Sequence, residues 1–253
     1  MVTLVQHAPG LWLAETDLDL FPVRCAVLVG SERAALWDAL AHPRHLAAFK
    51  PLLKSMAFDA VYSHADWDHV WGAGGLEDLG GPQHIVAHPA AALRFERELP
   101  GELARMQADE PGKWDAVMLL PPTRIVDGPL RLDLGGLSLD LSPLPGHTPD
   151  SMVGLVEELS VLLAGDVVEW PLPSLQEHSP LDAWLDGLAR WEGDPRVSQV
   201  VPAHGPLGGK ELIRATSAYL RDLQAGRAPA VPKDLSPFYA ATHRDNLRFT
   251  GLA

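Results

Sequence analysis

Four potential metal ligands lie within six residues of the sequence, at His64, Asp66, Asp68 and His69. Imidazole nitrogens and carboxylate oxygens both bind divalent transition metals, and side chains this close along the chain can share one site. An apolar stretch over residues 58–63 predicts a buried strand, so the motif should follow a strand end. The simpler interpretation is a polar loop in which the aspartates cap the next helix and the histidines are exposed. The spacing favours the metal site over this alternative.

Three further potential ligands each follow a predicted strand later in the chain. His147 stands in the turn Leu-Pro-Gly-His-Thr-Pro, Asp166 ends the run Leu-Leu-Ala-Gly-Asp, and His204 follows the run Val-Val-Pro-Ala. Parallel strands can bring such ends together at one edge of a sheet, where ligands commonly bind. Histidines scattered over a surface would have no reason to follow strands. We therefore expect these three residues to join the first four in one cleft.

The four motifs, in this order, resemble those of the metallo-β-lactamase superfamily, which includes glyoxalase II, lactonases and the flavodiiron proteins. Its members carry a His-x-His-x-Asp-His motif, a Gly-His-Thr-Pro turn, a Gly-Asp strand end and a late Gly-His-Gly-type turn. The resemblance covers about residues 3–215. It implies an α/β fold, an αβ/βα four-layer sandwich of two mixed β-sheets flanked by helices. It also implies two divalent metal ions at one edge of the paired sheets.

The same resemblance assigns the metal ligands motif by motif. His64 and His147 would hold the first metal ion, and Asp166 would bridge the two ions. The second ion would be held by Asp68, His69 and His204. The residues themselves predict only that these groups converge.

Asp66 departs from the family's pattern, because most members carry a second histidine at this position. With Asp66 the first site becomes two imidazoles and a carboxylate, the ligand set of non-haem iron facial triads. Zinc remains the favoured metal, and iron or manganese becomes more credible than in an average member. A third carboxylate also lowers the formal charge of the two ions with their ligands from +2 to +1, so a bound water would be polarised less.

The leading hypothesis for this site is metal-assisted hydrolysis of a small ester, thioester or lactone, with the metal ions activating a water molecule. Asp68, close to the nucleophile, would accept and deliver a proton. The sequence contains neither a Gly-x-Ser-x-Gly nucleophile elbow nor a glycine-rich phosphate loop, so the metal ions would carry the catalysis. One alternative is redox chemistry at iron, as in flavodiiron and persulfide-oxidising relatives. Another is a metal-binding protein without turnover.

Four residues are candidates for contact with a small-molecule substrate. Trp67 and Trp71 flank the motif, and Trp170 closely follows Asp166, so these indoles could wall a pocket for an acyl group. Plain packing is the competing interpretation. His243 lies in a segment resembling the family's C-terminal His-Arg-x-Asn-Leu, which either folds back beside the site or forms a packed terminal helix.

The composition restricts the partners. The formal net charge of −13, with no basic run, argues against sequence-independent binding to nucleic acid. Every apolar stretch is too short for a transmembrane helix, and the first residues lack a secretory pattern, so we expect no membrane association and a cytoplasmic location. The single cysteine, Cys25, excludes a multi-cysteine zinc site and is predicted to be a buried strand thiol. The exposed helices are compatible with a monomer or a homodimer.

Strands precede helices twice along the chain. The pattern predicts one domain over residues 1–253, with two halves at about 1–120 and 121–225 and a C-terminal tail over 226–253. Helices are predicted at about 43–53, 89–108, 179–191 and 211–225, and a glycine-linked hairpin at 130–141. Surface or hydrogen-bonded roles are expected for the histidines outside the motifs, which are His7, His42, His45, His84, His88 and His178.

Overall fold

Among the described residues, seven strands form the first β-sheet and five form the second. The computed structural model describes residues 1–177 and 179–253, so His178 lies outside the described residues. The first sheet follows chain order, with β1 (Thr3–Ala8), β2 (Leu11–Asp17), β3 (Pro22–Val29), β4 (Ala34–Trp37), β5 (Phe58–Val61), β6 (Ile85–Ala87) and β7 (Arg124–Ile125). The second has the order β12-β11-β10-β9-β8, from β8 (Leu130–Asp133), β9 (Ser138–Pro143), β10 (Met152–Val156), β11 (Val161–Gly165) and β12 (Gln199–Pro202).

Both sheets are mixed. In the first, β1 to β4 pair antiparallel and β4 to β7 pair parallel. In the second, β11 and β12 are parallel and the other pairs are antiparallel. The α-helices are α1 (Lys50–Leu53), α2 (Trp67–Val70), α3 (Pro89–Arg97), α4 (Leu99–Asp109), α5 (Leu181–Gly193), α6 (Lys210–Gln224) and α7 (Pro237–Phe249). No helix within residues 1–177 and 179–253 is long and apolar enough to cross a bilayer.

Both faces of each sheet are covered. Along β3, Cys25 and Val27 face an outer cluster that contains helix residues of the first half, whereas Ala26 and Leu28 face a cluster between the sheets. This alternation is the period of a strand buried on both sides. The inner cluster draws residues from both sheets, and a third cluster joins the second sheet to α5, α6 and α7. The order helix, sheet, sheet, helix confirms the predicted four-layer sandwich.

Prolines explain two differences from the predicted helices. The helix expected at 43–53 is a 3-10 helix, Pro43–Phe49, followed by the short α1, and Pro51 occupies the first turn of α1. The helix expected at 89–108 divides into α3 and α4 at Glu98, with Pro100 in the first turn of α4. Proline lacks the N–H that would continue the preceding helical ladder. Each proline therefore starts a new helix.

Two other elements differ from the sequence prediction. The strand β7 falls within the predicted second half, which begins at about residue 121, but it pairs with β6 in the first sheet. Part of the C-terminal tail forms α7, which packs on the second sheet's outer cluster through Tyr239. The glycine-linked hairpin is confirmed, because β8 and β9 are antiparallel and both Gly135 and Gly136 have positive φ.

Candidate metal centre

Four strand ends supply the predicted ligands. His64 follows β5, His147 follows β9, Asp166 follows β11 and His204 follows β12. The parallel pairing of β11 with β12 brings Asp166 and His204 out at the same edge of the second sheet. Backbone hydrogen bonds join the sheets at this edge, from Met152 N to Ser63 O at 2.8 Å and from Arg24 N to Ala203 O at 2.9 Å. The ligands of both sheets therefore face one cleft.

The motif over residues 64–69 crosses from the end of β5 into α2. Asp66 occupies the N-cap position of α2 in extended backbone, but its side chain makes no capping hydrogen bond. Its carboxylate turns instead toward His147. The alternative of a plain capping aspartate is therefore wrong for Asp66.

Two tryptophans pack against the turns that carry the later histidines. A Cβ atom on Gly146 would lie 2.6 Å from the ring of Trp184, whose Nε1 donates to Val167 O at 2.9 Å. Gly205, directly after His204, has a φ of +102° and lies against Trp170. Only glycine combines this left-handed backbone with so close an approach. Tight packing thus sets the direction of both histidine turns.

Three ligand atoms gather at the first predicted metal position. Asp66 Oδ2 lies 3.0 Å from His147 Nε2 and 3.6 Å from His64 Nε2. Ligand atoms that share one zinc ion at about 2.0–2.2 Å are separated by roughly 3–4 Å. The spacing of this group therefore fits one divalent ion.

The second predicted metal position has the same ligand types at similar distances. Asp68 Oδ2 lies 3.3 Å from His204 Nε2 and 3.8 Å from His69 Nε2. All three side chains are buried. One carboxylate and two imidazoles again converge at ligand spacing.

Asp166 stands between the two groups. Its Oδ1 lies 3.3 Å from His69 Nε2, and its Oδ2 lies 3.3 Å from His204 Nε2. Oδ2 is also 3.7 Å from His64 Nε2 and 3.9 Å from His147 Nε2. Since it alone approaches all four imidazoles among the described side chains, Asp166 has the position of a bridging ligand.

Each of the four imidazoles is held from behind through its Nδ1 atom. The partners are Ser63 Oγ for His64 at 3.0 Å, Asp38 Oδ2 for His69 at 2.9 Å, Ser174 O for His147 at 2.7 Å and Pro22 O for His204 at 2.8 Å. Ser63 Oγ donates its own proton to Asp38 Oδ2, so His64 Nδ1 donates to Ser63. A proton on every Nδ1 leaves every Nε2 free to bind a metal ion.

Buried atoms without partners test whether metal ions fit this centre. None of the described residues offers a hydrogen bond to His64 Nε2, His69 Nε2 or Asp166 Oδ1, although all three atoms are buried. An unsatisfied buried polar group costs about 1–3 kcal/mol. Metal ligation would satisfy all three atoms at once. The donor set therefore fits two divalent ions.

The charges of the cluster shift several pKa values. Burial alone would lower the pKa of His147, but the hydrogen bond and charge of Asp66 outweigh burial and raise it to about 9. His69 and His204 also have raised pKa values, because the Asp166 carboxylate outweighs their burial. Burial acts in the opposite direction on Asp166, yet the neighbouring imidazoles hold its pKa well below the usual range. Metal-free protein therefore binds extra protons here at neutral pH.

Metal loading at pH 7 is expected to release about three protons, one each from His69, His147 and His204. Only the neutral imidazole binds a metal ion, so apparent affinity should rise with pH up to about 9. Calorimetric titration with zinc in buffers of different ionisation enthalpy measures this release. A release below one proton would contradict the protonated cluster.

The raised pKa of His147 also determines how the stability of the metal-free protein changes with pH. The folded-state pKa of His147 lies above its unfolded value, so its pairing stabilises the metal-free protein fully below about pH 6.5. This contribution is lost as pH rises through about 9.

Arg94 of α3 forms an ion pair with Asp66 and offsets part of its negative charge. Its Nη2 donates to Asp66 Oδ1 at 2.6 Å, while its Nη1 donates to Asp150 Oδ1 at 3.1 Å. Burial would raise the pKa of Asp66, but His64 and Arg94 outweigh it and hold the pKa well below the usual range. The formal charge count from the ligands alone is therefore incomplete, since Arg94 offsets part of the extra negative charge.

The ligands open onto a cleft of about 320 Å³. Of the four predicted substrate residues, only Trp67 lines it among the described residues. The other lining residues are Leu20, Phe21, Glu169, Ser174 and Phe238, together with five of the seven metal-ligand candidates, Asp66, Asp68, His147, Asp166 and His204. Burial and the charge of Asp166 raise the pKa of Glu169 to about 7, and Ser174 N donates to it at 3.0 Å.

Trp71, Trp170 and His243, the other three substrate candidates, are not among the described residues that line the cleft. Trp71 is fully buried under Trp67, Trp170 packs on Gly205 at the surface, and neither lines the cleft. His243 lies on α7, where its Nδ1 is 2.7 Å from Tyr219 Oη. These contacts support the packing alternative for all three residues.

The tail acts on the site through Asn246 rather than through His243. Buried Asn246 accepts from Leu175 N at 2.9 Å and donates to Pro173 O at 2.7 Å. It thereby fixes the chain on both sides of Ser174, whose carbonyl holds His147. The segment resembling His-Arg-x-Asn-Leu drew attention to this region, but its asparagine carries the contact.

A family model and a curated protein both match this sequence. A sequence model described as Metallo-beta-lactamase superfamily matches residues 18–204. The chain is 25% identical over 199 residues to the avaE protein of Aspergillus versicolor, whose name proposes a role as a transcription factor. That match covers 70% of this chain and 56% of avaE, so the chain spans about half the length of this curated relative.

Solved structures share the fold at low sequence identity. A metallo-beta-lactamase from Pontibacter korlensis superposes with a TM-score of 0.69 at 20% identity, covering 88% of this chain and 100% of that one. FIM-1 from Pseudomonas aeruginosa, solved in a mono-zinc form, gives 0.63 at 19% identity, with 87% and 95% covered. A metallo-beta-lactamase family protein from Thermus thermophilus gives 0.68 at 20% identity, with 87% and 83% covered.

The family match extends over more than half of the chain and contains all seven ligand candidates, and the similar structures carry the same four-layer sandwich. The chain belongs to the metallo-beta-lactamase superfamily.

Proposed function

We propose that the protein is a metal-dependent hydrolase with a dinuclear site that activates water against a small ester, thioester or lactone. The observation that carries the proposal is the convergence of four imidazole Nε2 atoms on Asp166, within 3.9 Å of its carboxylate oxygens. When bound, two divalent ions there would lower the pKa of a water molecule and polarise the carbonyl of the substrate.

The protein's own residues then have distinct tasks in this proposal. His64, His147 and Asp66 would hold one ion, and Asp68, His69 and His204 would hold the other. Asp68 would accept a proton and pass it to the leaving group, a role supported by its place in the cleft lining, with Oδ2 3.3 Å from His204 Nε2. Phe21 and Phe238 line the cleft with their ring centroids 4.4 Å apart. Their rings would keep bulk water from the reacting bond.

Zinc is the favoured metal of the proposal. Imidazole and carboxylate ligands suit zinc, and FIM-1, which shares the fold, was solved with one zinc ion. Asp66 would let the first position accommodate iron or manganese better than a group of three imidazoles would, because the carboxylate makes the ligand set harder and more anionic.

Metal analysis of anaerobically purified protein, paired with a panel of activated esters, thioesters and lactones, tests the proposal. The expected result is bound zinc and saturable hydrolysis of at least one substrate class. A His147→Ala variant, purified identically, controls for contaminating esterases. Metal binding without turnover across the panel would instead support a non-catalytic metal-binding protein.

One observation favours a second function, oxidation or reduction at iron. Asp66 with His64 and His147 forms a set of two imidazoles and one carboxylate, which is the non-haem iron ligand set. Near-stoichiometric iron, visible absorption and no hydrolysis would support this second function over the first.

The proposal also includes the partners. We infer a small-molecule substrate from the size of the cleft, about 320 Å³. The formal charge of −13 supports a protein that binds no nucleic acid, and cytoplasmic residence and a monomer or homodimer complete the proposal.

A further inference from the structure

One carboxylate in the metal cleft has no place among the proposed metal ligands. Glu169 lies in the loop between β11 and α5, lines the cleft and is only 5% exposed. It belongs to none of the groups of ligand atoms that could share a metal ion. A buried charge is costly unless it is paired, so buried carboxylates normally have a charged or hydrogen-bonding partner.

One oxygen of Glu169 supports the metal centre. Its Oε2 accepts from Ser174 N at 3.0 Å, and Ser174 O in turn accepts from His147 Nδ1 at 2.7 Å. The other carboxylates of the cleft lie within 4.0 Å of imidazole nitrogens, whereas Glu169 has no ion pair with a described residue. Its negative charge therefore lacks a cationic partner in this part of the chain.

The other oxygen, Oε1, is an open acceptor. No described residue donates to it with ordinary hydrogen-bond geometry, and it is not among the fully buried polar atoms that lack a partner. The Tyr239 hydroxyl lies close by, since burial and the charge of Glu169 raise its pKa. A carboxylate has about four acceptor positions, so Glu169 can still bind a donor from the cleft beside this hydroxyl.

Aromatic rings form much of the remaining cleft wall. The ring centroid of Phe21 lies 4.4 Å from that of Phe238 and 6.2 Å from that of Trp67, and all three residues line the cleft. Phe238 directly precedes Tyr239, so the first turn of α7 lies beside both Phe21 and Glu169. The faces of aromatic rings attract cations, and a carboxylate adds a full negative charge. Together they suit a cationic group.

The charges of the cleft also favour a cation. Four carboxylates line it, and no lysine or arginine does so among the described residues. Two divalent ions with the three ligand carboxylates would carry a formal +1, which the charge of Glu169 cancels. Arg94, behind Asp66, is balanced by Asp150 at 3.1 Å. The occupied site as a whole would therefore not repel a cation.

We propose that Glu169 is a substrate-binding residue and that the substrate is a small ester or thioester carrying a protonated amine. The ammonium group would donate to Glu169 Oε1 and lie against Phe21 and Phe238, while the acyl carbonyl faces the metal positions. This inference rests on the proposed hydrolase function for the reacting bond and assigns the amine to the non-reacting part. A cleft of about 320 Å³ is small for a ligand pocket, so the amine and the carbonyl must lie close together.

Two pairs of amides, which lack an activated leaving group, test the inference on the zinc-loaded full chain. β-Alaninamide is compared with butyramide, and 4-aminobutyramide with pentanamide, so each pair differs only by an ammonium in place of a methyl group. At about pH 8, above the pKa of Glu169 of about 7, the ammonium should increase affinity at least about 10-fold in one pair or both. Calorimetric titration and ligand-observed NMR give the affinities. Equal binding within both pairs, or binding of no probe, would overturn the inference.

Glu169→Gln keeps the shape and an oxygen that can accept from Ser174 N, but it removes the charge. The preference for the ammonium probe should then fall to about twofold or less. The matched control is Glu177→Gln, because Glu177 lies in the same loop but is exposed and does not line the cleft. Glu177→Gln should keep the full preference. If Glu169 only supported Ser174, Glu169→Gln would weaken zinc binding and leave the preference unchanged, and that outcome would overturn the inference.

A measurement on the unmodified protein covers the case in which Glu169→Gln fails to fold. The amine that binds more tightly should shift the carboxyl carbon NMR signal of Glu169 and leave that of Glu177 unchanged, and no shift at Glu169 would overturn the inference. Hydrolysis is scored separately, with β-alanyl and butyryl thioesters. Selective binding of the amine without turnover of either thioester would refute the hydrolase proposal alone, whereas turnover with equal binding within both pairs would refute the Glu169 assignment alone.

Discussion

Replacing Asp166 with alanine is expected to remove both metal ions and to abolish hydrolysis. Its carboxylate lies within 3.9 Å of the Nε2 atoms of all four imidazoles, so each metal position loses a ligand. Residues that merely hold a metal ligand cost about 10–100-fold in affinity when they are changed. Loss of a shared ligand should therefore weaken each position by at least about 100-fold.

The matched variant is Asp66→Ala, which removes a carboxylate from the first group only. It should lose about one metal equivalent, while the group of Asp68, His69 and His204 keeps the other. Asp66→His, which restores the family's common pattern, should shift the preference of the first position toward zinc. Metal-to-protein ratios after dialysis against a weak chelator compare the three variants with the unmodified protein.

Two outcomes would contradict this assignment of ligands to the two metal positions. Unchanged two-metal stoichiometry in Asp66→Ala would show that Asp66 is no ligand and serves Arg94 alone. One tightly held ion in Asp166→Ala would show that Asp166 does not bridge. Unfolding curves of metal-free variants serve as the control, since a misfolded variant would also lose metal.

Asp38→Ala should cost about 3–5 kcal/mol of stability and about 10–100-fold in affinity for the second metal ion. Buried Asp38 accepts from Ser63 N at 2.7 Å, from Ser63 Oγ at 2.8 Å and from His69 Nδ1 at 2.9 Å. Its φ of +64° lies in the left-handed region, which aspartate and asparagine tolerate better than alanine. The alanine variant thus loses three hydrogen bonds and gains backbone strain.

Asp38→Asn separates these effects. Asparagine keeps the shape and the backbone preference, but it has one acceptor oxygen where Asp38 uses two. We expect intermediate stability together with a clear loss of metal affinity. The control is Asp59→Asn, because Asp59 is equally buried and bonds to Arg33 and His84 away from the site. Urea unfolding and zinc titration read out both quantities; unchanged zinc affinity in Asp38→Asn would show that Asp38 does not orient His69.

The sequence was sufficient to predict the layered fold and the convergence of the ligand candidates. Strand-end positions made this possible, because His147, Asp166 and His204 each follow a strand, and β9, β11 and β12 run in the same direction, so their ends lie at one edge of the sheet. A glycine stands directly beside each of these three residues and marked the turn that carries it. The local sequence pattern was therefore sufficient to predict most of the metal-ligand candidates.

Contacts between distant segments could not be predicted in the same way. Arg94 binds Asp66 across 28 positions, and Asp38 binds His69 across 31. Neither residue belongs to a motif, and their partners are fixed only when helices and loops pack. Burial of Trp71 is similar, because an indole beside a motif is compatible with either a pocket wall or a core position until its neighbours are known.

Because Asn246 braces the support of His147, we expect the centre to assemble in a particular order during synthesis. The seven ligand candidates are all made before residue 205, but the hydrogen bonds that bracket Ser174, the support of His147, require α7. A nascent chain can thus hold the second group of ligands in place while the first still lacks its final support. Because chains fold progressively as they emerge, tight loading of the first position would follow completion of α7. Completion of the C-terminal helix α7 would then determine when the first position binds its metal ion tightly.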